Sequence, residues 1–460
     1  MEPENIRFGG GAAITLLHPL VAVGIALAIV LILCLPRKYV MAPLLLAIFT
    51  IPLGQVVVLG GAHFTMARIL ILAGLARLLI SRRKVPEGIF AGGLNNIDSA
   101  FLLWALFFLT IFSLQWMETQ AFIKSLGNFL DAVGAYVVMR FLIREKDDIQ
   151  RTIKVFAFIC IFLGVCMINE QVTHQNIFGL LGGTLTTIQG RAGSLRSQGT
   201  FDTYLTAGVF GATLLPLLIW LWTEGKSKLI AGLGILGATA MTITSNSSTP
   251  LVAYAAGIIG LCFWGVRKRM RLFRWVLVLT LLVLHLIMKA PVWALVNRLD
   301  LTGSSSSYHR FILIDNCIRH FTNWWFLGYK FYDRWGFDMW DLSNQYVAYA
   351  LRGGLATLVM FILVISRSFG RLGTARKLVE GNSKQEWLFW CLGSAMVSHL
   401  ISYFGVNYFD QMQFAWYAFL AIICAATAVG PIPGTSDTSD VELNGDFRAG
   451  MKWDALEVAK

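Results

Sequence analysis

Charge is scarce in this chain of 460 residues: Asp, Glu, Lys and Arg make up only 14% of it, against about 25% in soluble domains. A soluble globule is therefore not expected. The seven cysteines form no Cys-x-x-Cys pair and lie mostly within apolar runs. They read as small packing residues, which leaves no disulfide framework and no metal site to infer. There is no GxxxxGK[ST] to cradle phosphates, no HExxH and no GxSxG. His18, His63, His174, His285, His309, His320 and His399 show no ligand-like spacing. An ATPase, a metalloprotease or a hydrolase with a nucleophile elbow is left without support, and neither a cofactor nor a metal is called for.

What the chain has instead is apolar length. Hydrophobic residues make up 56%, with 15 Trp, 32 Phe and a mean hydropathy of +0.65. The apolar residues come in runs of about 17–25, enough to cross a hydrocarbon core of about 30 Å. The expected fold is an all-α integral membrane protein of about 12–13 transmembrane helices. Runs fall near 12–35, 40–58, 64–80, 99–116, 126–143, 152–169, 201–222, 228–245, 250–266, 273–289, 343–366, 387–404 and 408–429. The leader MEPENIRFGG lacks a basic segment, and the first run reads as a retained helix rather than a signal peptide. The net charge of +12 comes from Lys and Arg gathered between spans, so it implies no nucleic-acid partner.

Those basic clusters set an orientation. Arg37/Lys38, Arg82 to Lys84, Arg140 to Lys154, Lys226/Lys228, Arg267 to Arg274 and Arg367 to Lys384 all follow odd-numbered runs, which places these loops in the cytoplasm. The loops near 170–200 and 290–342 are then external. The chain divides into a polytopic membrane domain over 1–430, the external loop 290–342 within it, and a disordered cytoplasmic tail over 431–460, rich in Ser, Thr, Gly and Asp.

Polar chemistry concentrates on the external side. The segment from Gly190 to Tyr204 carries Arg191 and Arg196 at the rim, with Gly193 and Gly199 offering close backbone approach. Interfacial arginines commonly snorkel, yet two in a Gly/Ser loop also suit a bidentate clamp on a pyrophosphate. From Tyr308 onward, Phe311, Ile314, Ile318 and Phe321 suggest an amphipathic helix on the external surface. Arg310 then sits near its first turn, as an anion ligand or as part of a solvated face. His309 and His320 read first as structural. Asp341 suits either a helix cap or a base, and Asn344 is placed to bond substrate hydroxyls. Trp324, Trp325, Trp335 and Trp340 read as an interfacial belt or as platforms for sugar rings.

Several of these segments together resemble the O-antigen ligase/polymerase superfamily. The likeness rests on Arg-x-x-Gly-Thr-Phe (196–201), Ser245-Asn-Ser-Ser-Thr at the start of a later helix, and the long external loop with Trp-Trp-Phe-Leu-Gly (324–328). Asn-Gln-Tyr (344–346) and Gly-Gly-Leu (353–355) complete it. It covers motifs between about 190 and 365. The resemblance implies an enzyme of the bacterial inner membrane working on its periplasmic face without a metal. Such an enzyme moves glycan from an undecaprenyl-pyrophosphate-linked donor to a glycan or lipid acceptor. It implies that Arg196 and Arg310, with Arg191, bind the pyrophosphate. The chain departs from the family in having Ser343-Asn344 where His-Asn is usual, and Arg352 where an acid is usual. Polymerase is favoured over ligase on that account. Asp341 is the expected base, with His309, Ser343 and Asn344 at the substrate. A secondary transporter or lipid-linked oligosaccharide flippase is the alternative, with Asp131, Arg68 and Asp410 as its possible intramembrane charges.

Overall fold

The computed structural model describes residues 15–59, 62–81, 88–187, 189–191, 194–298, 306–336, 338–409 and 411–428. The structure is 77% helical, and seven of the described helical stretches are long and apolar enough to cross a membrane. In chain order the helices are α1 (Pro19–Cys34), α2 (Arg37–Thr50), α3 (Met66–Ser81), α4 (Asn96–Trp116), α5 (Thr119–Phe129), α6 (Ala135–Leu142), α7 (Lys146–Thr173) and α8 (Tyr204–Thr223). They continue as α9 (Lys228–Thr244), α10 (Ser248–Cys262), α11 (Met270–Ile287), α12 (Ser306–Arg319), the short α13 (Phe321–Trp324), α14 (Gln345–Leu378), α15 (Ser383–Ser402) and α16 (Gln411–Ala428). A π-helical turn, Leu130–Gly134, joins α5 to α6. Two hairpins complete the fold: β1 (Val56–Leu59) with β2 (Ala62–Thr65), and β3 (Gln189–Arg191) with β4 (Ser194–Arg196).

Each expected apolar run contains a helix, but not every run is a full span. The run at 40–58 stops as helix at Thr50, because Pro52 pushes Ile51 into an extended conformation (φ −89°, ψ 127°) and Val56, Val57 and Val58 favour a strand. The last two runs stand further apart than three residues: α15 ends at Ser402 and α16 begins at Gln411. Between them Tyr408 folds back to the hydroxyl of Ser402 and the ring of His399. The stretch Ser248–Ile287 is interrupted by a 3-10 turn at Phe263–Arg269 that holds three basic residues. Beyond it α11 buries no residue and exposes Trp275, Leu279 and Leu286, a surface suited only to lipid. The tail 431–460 and Asp410 lie outside the described residues.

Short turns join α8 to α9, α9 to α10 and α14 to α15, so these neighbours run antiparallel and the bundle has two chemically distinct ends. One end gathers the basic loops into ion pairs: Arg37 with Asp148 at 2.9 Å, Lys146 with Glu224 at 3.3 Å and Arg267 with Glu386 at 3.0 Å. The other end gathers the loops after α7, α9, α13 and α15. Ser197 N donates there to Thr244 O at 3.1 Å, and Gln345 N to Tyr403 O at 2.8 Å. The turn after α9 thus receives the segment before α8, and the turn after α15 receives the start of α14.

Candidate functional site

The arm from Ser194 to Thr203 is fixed by its own backbone. Glu170, at the end of α7, accepts from Gln198 N at 3.1 Å and Gly199 N at 2.9 Å, and Asn176 Nδ2 donates to Gly199 O. Gly199 has φ +60°, the left-handed region that favours glycine, so it serves the bend of the arm. Its backbone groups are already taken, and it does not offer the ligand approach expected of it. Thr200 Oγ1 donates to Phe49 O at 2.7 Å, and Phe201 packs into a cluster with Phe49 and Phe210 at ring separations of 6.2 and 5.4 Å. Gly-Thr-Phe therefore anchors the arm. Arg196 is the basic side chain it carries among the described residues.

Arg196 is 6% exposed. Its Nη1 donates to the Tyr204 hydroxyl at 2.6 Å, and the guanidinium lies 4.6 Å from the Tyr204 ring. Its Nε is buried without a hydrogen-bond partner, and no carboxylate pairs with it among the described residues. A buried guanidinium held only by a phenol keeps most of its pairing capacity for an anion. The backbone of Arg191 lies in β3, opposite Ser194. The Arg191 side chain and Gly193 lie outside the described residues.

Arg310 reaches the same region from α12. It is 7% exposed and its Nη2 donates to Thr249 Oγ1 at 2.8 Å. Thr249 belongs to the Ser/Thr turn that opens α10, whose other edge holds the arm: Asn246 Nδ2 donates to Leu195 O, and Gln171 Nε2 bonds both Leu195 O and Thr244 O. The 244–250 turn thus contacts Arg310 directly and the backbone on both sides of Arg196, although the two arginines stand 114 positions apart in the chain. Gly405 makes this possible, since a Cβ there would stand 3.1 Å from Arg310 Nε. Nothing in the sequence marked Gly405 beyond its place between two apolar runs.

The expected helix after Tyr308 is present as α12, but a different face is buried. Arg310, Leu313 and Cys317 turn inward, whereas Ile318 and Phe321 are exposed. Arg310 points into the protein because Leu313 and Cys317 pack with Val347 and Leu351 of α14. The four tryptophans do not form a uniform belt. Trp324 is buried and donates to Cys317 O at 2.7 Å, Trp335 stacks between His320 and Tyr329, and Trp325 and Trp340 are exposed.

The segment before α14 is tied to α12 by His309, whose Nε2 lies 3.0 Å from Asp341 O and 3.9 Å from its carboxylate. Ser343 Oγ donates to Asp341 Oδ1 at 2.6 Å. Asp341 is not the helix cap. That place is held by Asn344, whose Oδ1 accepts from Val347 N at 3.1 Å while Nδ2 donates to Phe404 O. Asn344 is buried, with the oxygen and the nitrogen of its amide each engaged in one of these bonds. Asp341 stays half open and uncommitted to any helix end.

A carboxylate nearer Arg196 escaped notice in the sequence. Asp202 lies on the arm itself, open to solvent, with no hydrogen bond or ion pair among the described residues. The protein around it strips part of its hydration and raises its carboxyl above the ordinary Asp range. The signal available was its position six residues after Arg196.

Trp-Trp-Phe-Leu-Gly and Gly-Gly-Leu turn out to be two halves of one junction. At Gly354 (φ +65°, ψ −177°) α14 breaks. Leu355 N donates to Trp325 O at 2.8 Å, and Leu351 O accepts from Tyr329 N at 2.7 Å and from Gln115 Nε2 at 2.9 Å. The loop has replaced the missing rung of the helix with its own backbone groups. A Cβ at Gly354 would meet Phe326 O at 2.6 Å, so only glycine fits.

Among the described residues, no three His, Cys, Asp or Glu side chains gather as a metal site. No protein-family model matches this chain, and no curated protein matches it.

Proposed function

We propose that this protein is a membrane glycosyltransferase that polymerises or transfers glycan from an undecaprenyl-pyrophosphate-linked donor, at the end of the bundle that holds the arginine arm. The observation that carries the reading is Arg196, a nearly buried guanidinium whose polar partner is a phenol, on an arm whose backbone is bonded to the Ser/Thr turn that receives Arg310. A lipid-linked pyrophosphate would approach from the membrane and bring two negative groups to that turn. Pyrophosphate is already a good leaving group. The protein has mainly to neutralise its growing charge and orient an acceptor hydroxyl in line. The Tyr204 hydroxyl holds the guanidinium plane of Arg196 without cancelling its charge, and the Thr249 hydroxyl helps to orient Arg310.

Proton removal from the acceptor falls to a carboxylate, Asp341 or Asp202. Asp341 is half exposed and Asp202 exposed at the same end, and among the described residues no arginine pairs with either. In this reading the face is periplasmic, the membrane is the bacterial inner membrane, and polymerisation is favoured over ligation to a lipid acceptor. Arg→Lys at 196 or 310 is expected to restore little over Arg→Ala, because a point charge cannot reproduce the bidentate fork. Gel profiling of surface glycans after deletion separates the outcomes: loss of chain length indicates a polymerase, and accumulated carrier-linked polymer a ligase. Unchanged glycans in an Arg196→Ala/Arg310→Ala double variant, at equal membrane levels, remove the proposal.

A further inference from the structure

Beside the arginine arm, across the last turn of α2, lies a second polar site. A cavity of about 90 Å³ opens between the end of α2, the start of α3, the π-turn after α5 and the start of α16. Gln411 lines it and is 1% exposed. Its Nε2 donates to Ile48 O at 3.2 Å and Ile51 O at 3.1 Å, and since both are carbonyls the amide has one orientation. That leaves Oε1 buried without a hydrogen-bond partner. A buried acceptor of this kind costs about 1–3 kcal/mol unless a donor reaches it.

The other lining groups define what the cavity can hold. Asp131 accepts from Arg68 Nε at 2.9 Å and Arg68 Nη2 at 2.6 Å, and Arg68 Nη1 donates to His63 O. The pair neutralises itself, so neither a bare cation nor an anion is favoured, while the carboxylate keeps lone pairs for further donors. Gly127 makes room for the pair, since a Cβ there would stand 2.7 Å from Arg68 Nη2. Asn128 makes no hydrogen bond among the described residues, and Gln413, whose Oε1 accepts from the Tyr417 hydroxyl, retains its Nε2 as a donor. Phe414 supplies an apolar wall. Paired amides, a neutralised carboxylate and an aromatic face suit a neutral ligand with several hydroxyls. The π-turn that carries Asp131 is itself a feature frequent at functional sites.

We propose that this niche binds a sugar ring of the glycan acceptor, an assignment that rests on the transferase reading. Thr200 and Gln411 bond carbonyls of the same last turn of α2, from the arm side and the niche side respectively. The niche and the arm thus share one turn of α2, a placement suited to the next residue of a growing chain.

The test uses the full chain in detergent, with thermal unfolding followed against methyl glycosides of glucose, galactose, rhamnose and N-acetylglucosamine, and against glycerol and inorganic pyrophosphate. A saturable rise in Tm with at least one glycoside and none with glycerol is expected. That rise should need at least about tenfold more glycoside in Asn128→Leu and Gln413→Met. In transfer assays Asn128→Leu should raise the acceptor KM with kcat near wild type, whereas Arg196→Lys should lower kcat. No glycoside shift in the wild type, or the same shift in both variants, overturns the niche. An unchanged acceptor KM in Asn128→Leu beside an inactive Arg196→Lys overturns the niche and leaves the transferase standing. A glycoside shift in a chain that never extends glycan keeps the sugar site and overturns its acceptor role.

Discussion

Arg140 and Arg196 are both buried arginines beside a tyrosine, at opposite ends of the same bundle. At the basic end a carboxylate stands between the two: Asp98 Oδ1 accepts from Tyr136 at 2.5 Å and from Arg140 Nε at 3.0 Å, while its Oδ2 accepts from Arg140 Nη2 at 3.1 Å. Asp98 also closes the capping box of α4 with Asn95. The charge there is answered within the chain and the cluster is part of the frame. At the arm end the tyrosine bonds the guanidinium directly and no carboxylate intervenes. The difference teaches that burial and an aromatic neighbour do not by themselves tie an arginine into the frame. The presence of a built-in anion does.

Removing each arginine should therefore have opposite signatures. Arg140→Met strands Asp98 and is expected to cost about 3–5 kcal/mol, read as a lowered Tm or lost membrane accumulation. Arg196→Met should leave the fold within about 1 kcal/mol, since no buried counter-charge is abandoned, while transfer falls about 10²–10³-fold. Equal unfolding by both variants would break the comparison. Next in size is Gly354→Ala, expected to cost about 1–3 kcal/mol because both the φ and the contact with Phe326 O resist a side chain. Gly393→Ala, in open space, is the control.

Asn344→Ala should cost about 1 kcal/mol through the lost cap, with Asn344→Asp retaining most of it. Asp341→Asn should leave Tm unchanged, so any loss of transfer it causes reports chemistry. The smallest expected effect is at Asp202. Its raised carboxyl means that the folded state holds the proton more tightly than the unfolded chain. The associated stability is full below the unfolded value of about 3.9 and is lost as pH rises through the higher folded one. Asp202→Asn should thus match wild type in acid and melt slightly higher at neutral pH. A flat difference across that window contradicts the crowding of Asp202.

The helices were legible because apolar length is a local property, and each run could be read without knowing its neighbours. The hairpin at Val56–Thr65 was hidden inside an apolar run, where β-branching competed with length. The arginine arm was visible as a motif, but the meaning of its parts was not. Whether Gly199 serves a bend or a ligand depends on Glu170 and Asn176, 29 and 23 residues away. The cap of α14 was misplaced by three residues, from Asp341 to Asn344, because both types cap well and only the backbone turn at 342–344 decides between them. Asp131 and Arg68 were both noticed, yet their pairing across 63 positions is a tertiary fact.

The exchanged rung at Gly354 has a consequence for anyone who wishes to swap specificity between relatives. Loop and helix share two backbone hydrogen bonds, Leu355 N to Trp325 O and Tyr329 N to Leu351 O. Lifting the loop away would leave Leu355 N unanswered in apolar surroundings, at several kcal/mol if no water reaches it, and Leu351 O with Gln115 alone. The loop is therefore not a detachable module. A chimera that imports it must bring Trp325 to Tyr329 and the Gly353-Gly354 step together, since each is the template on which the other closes.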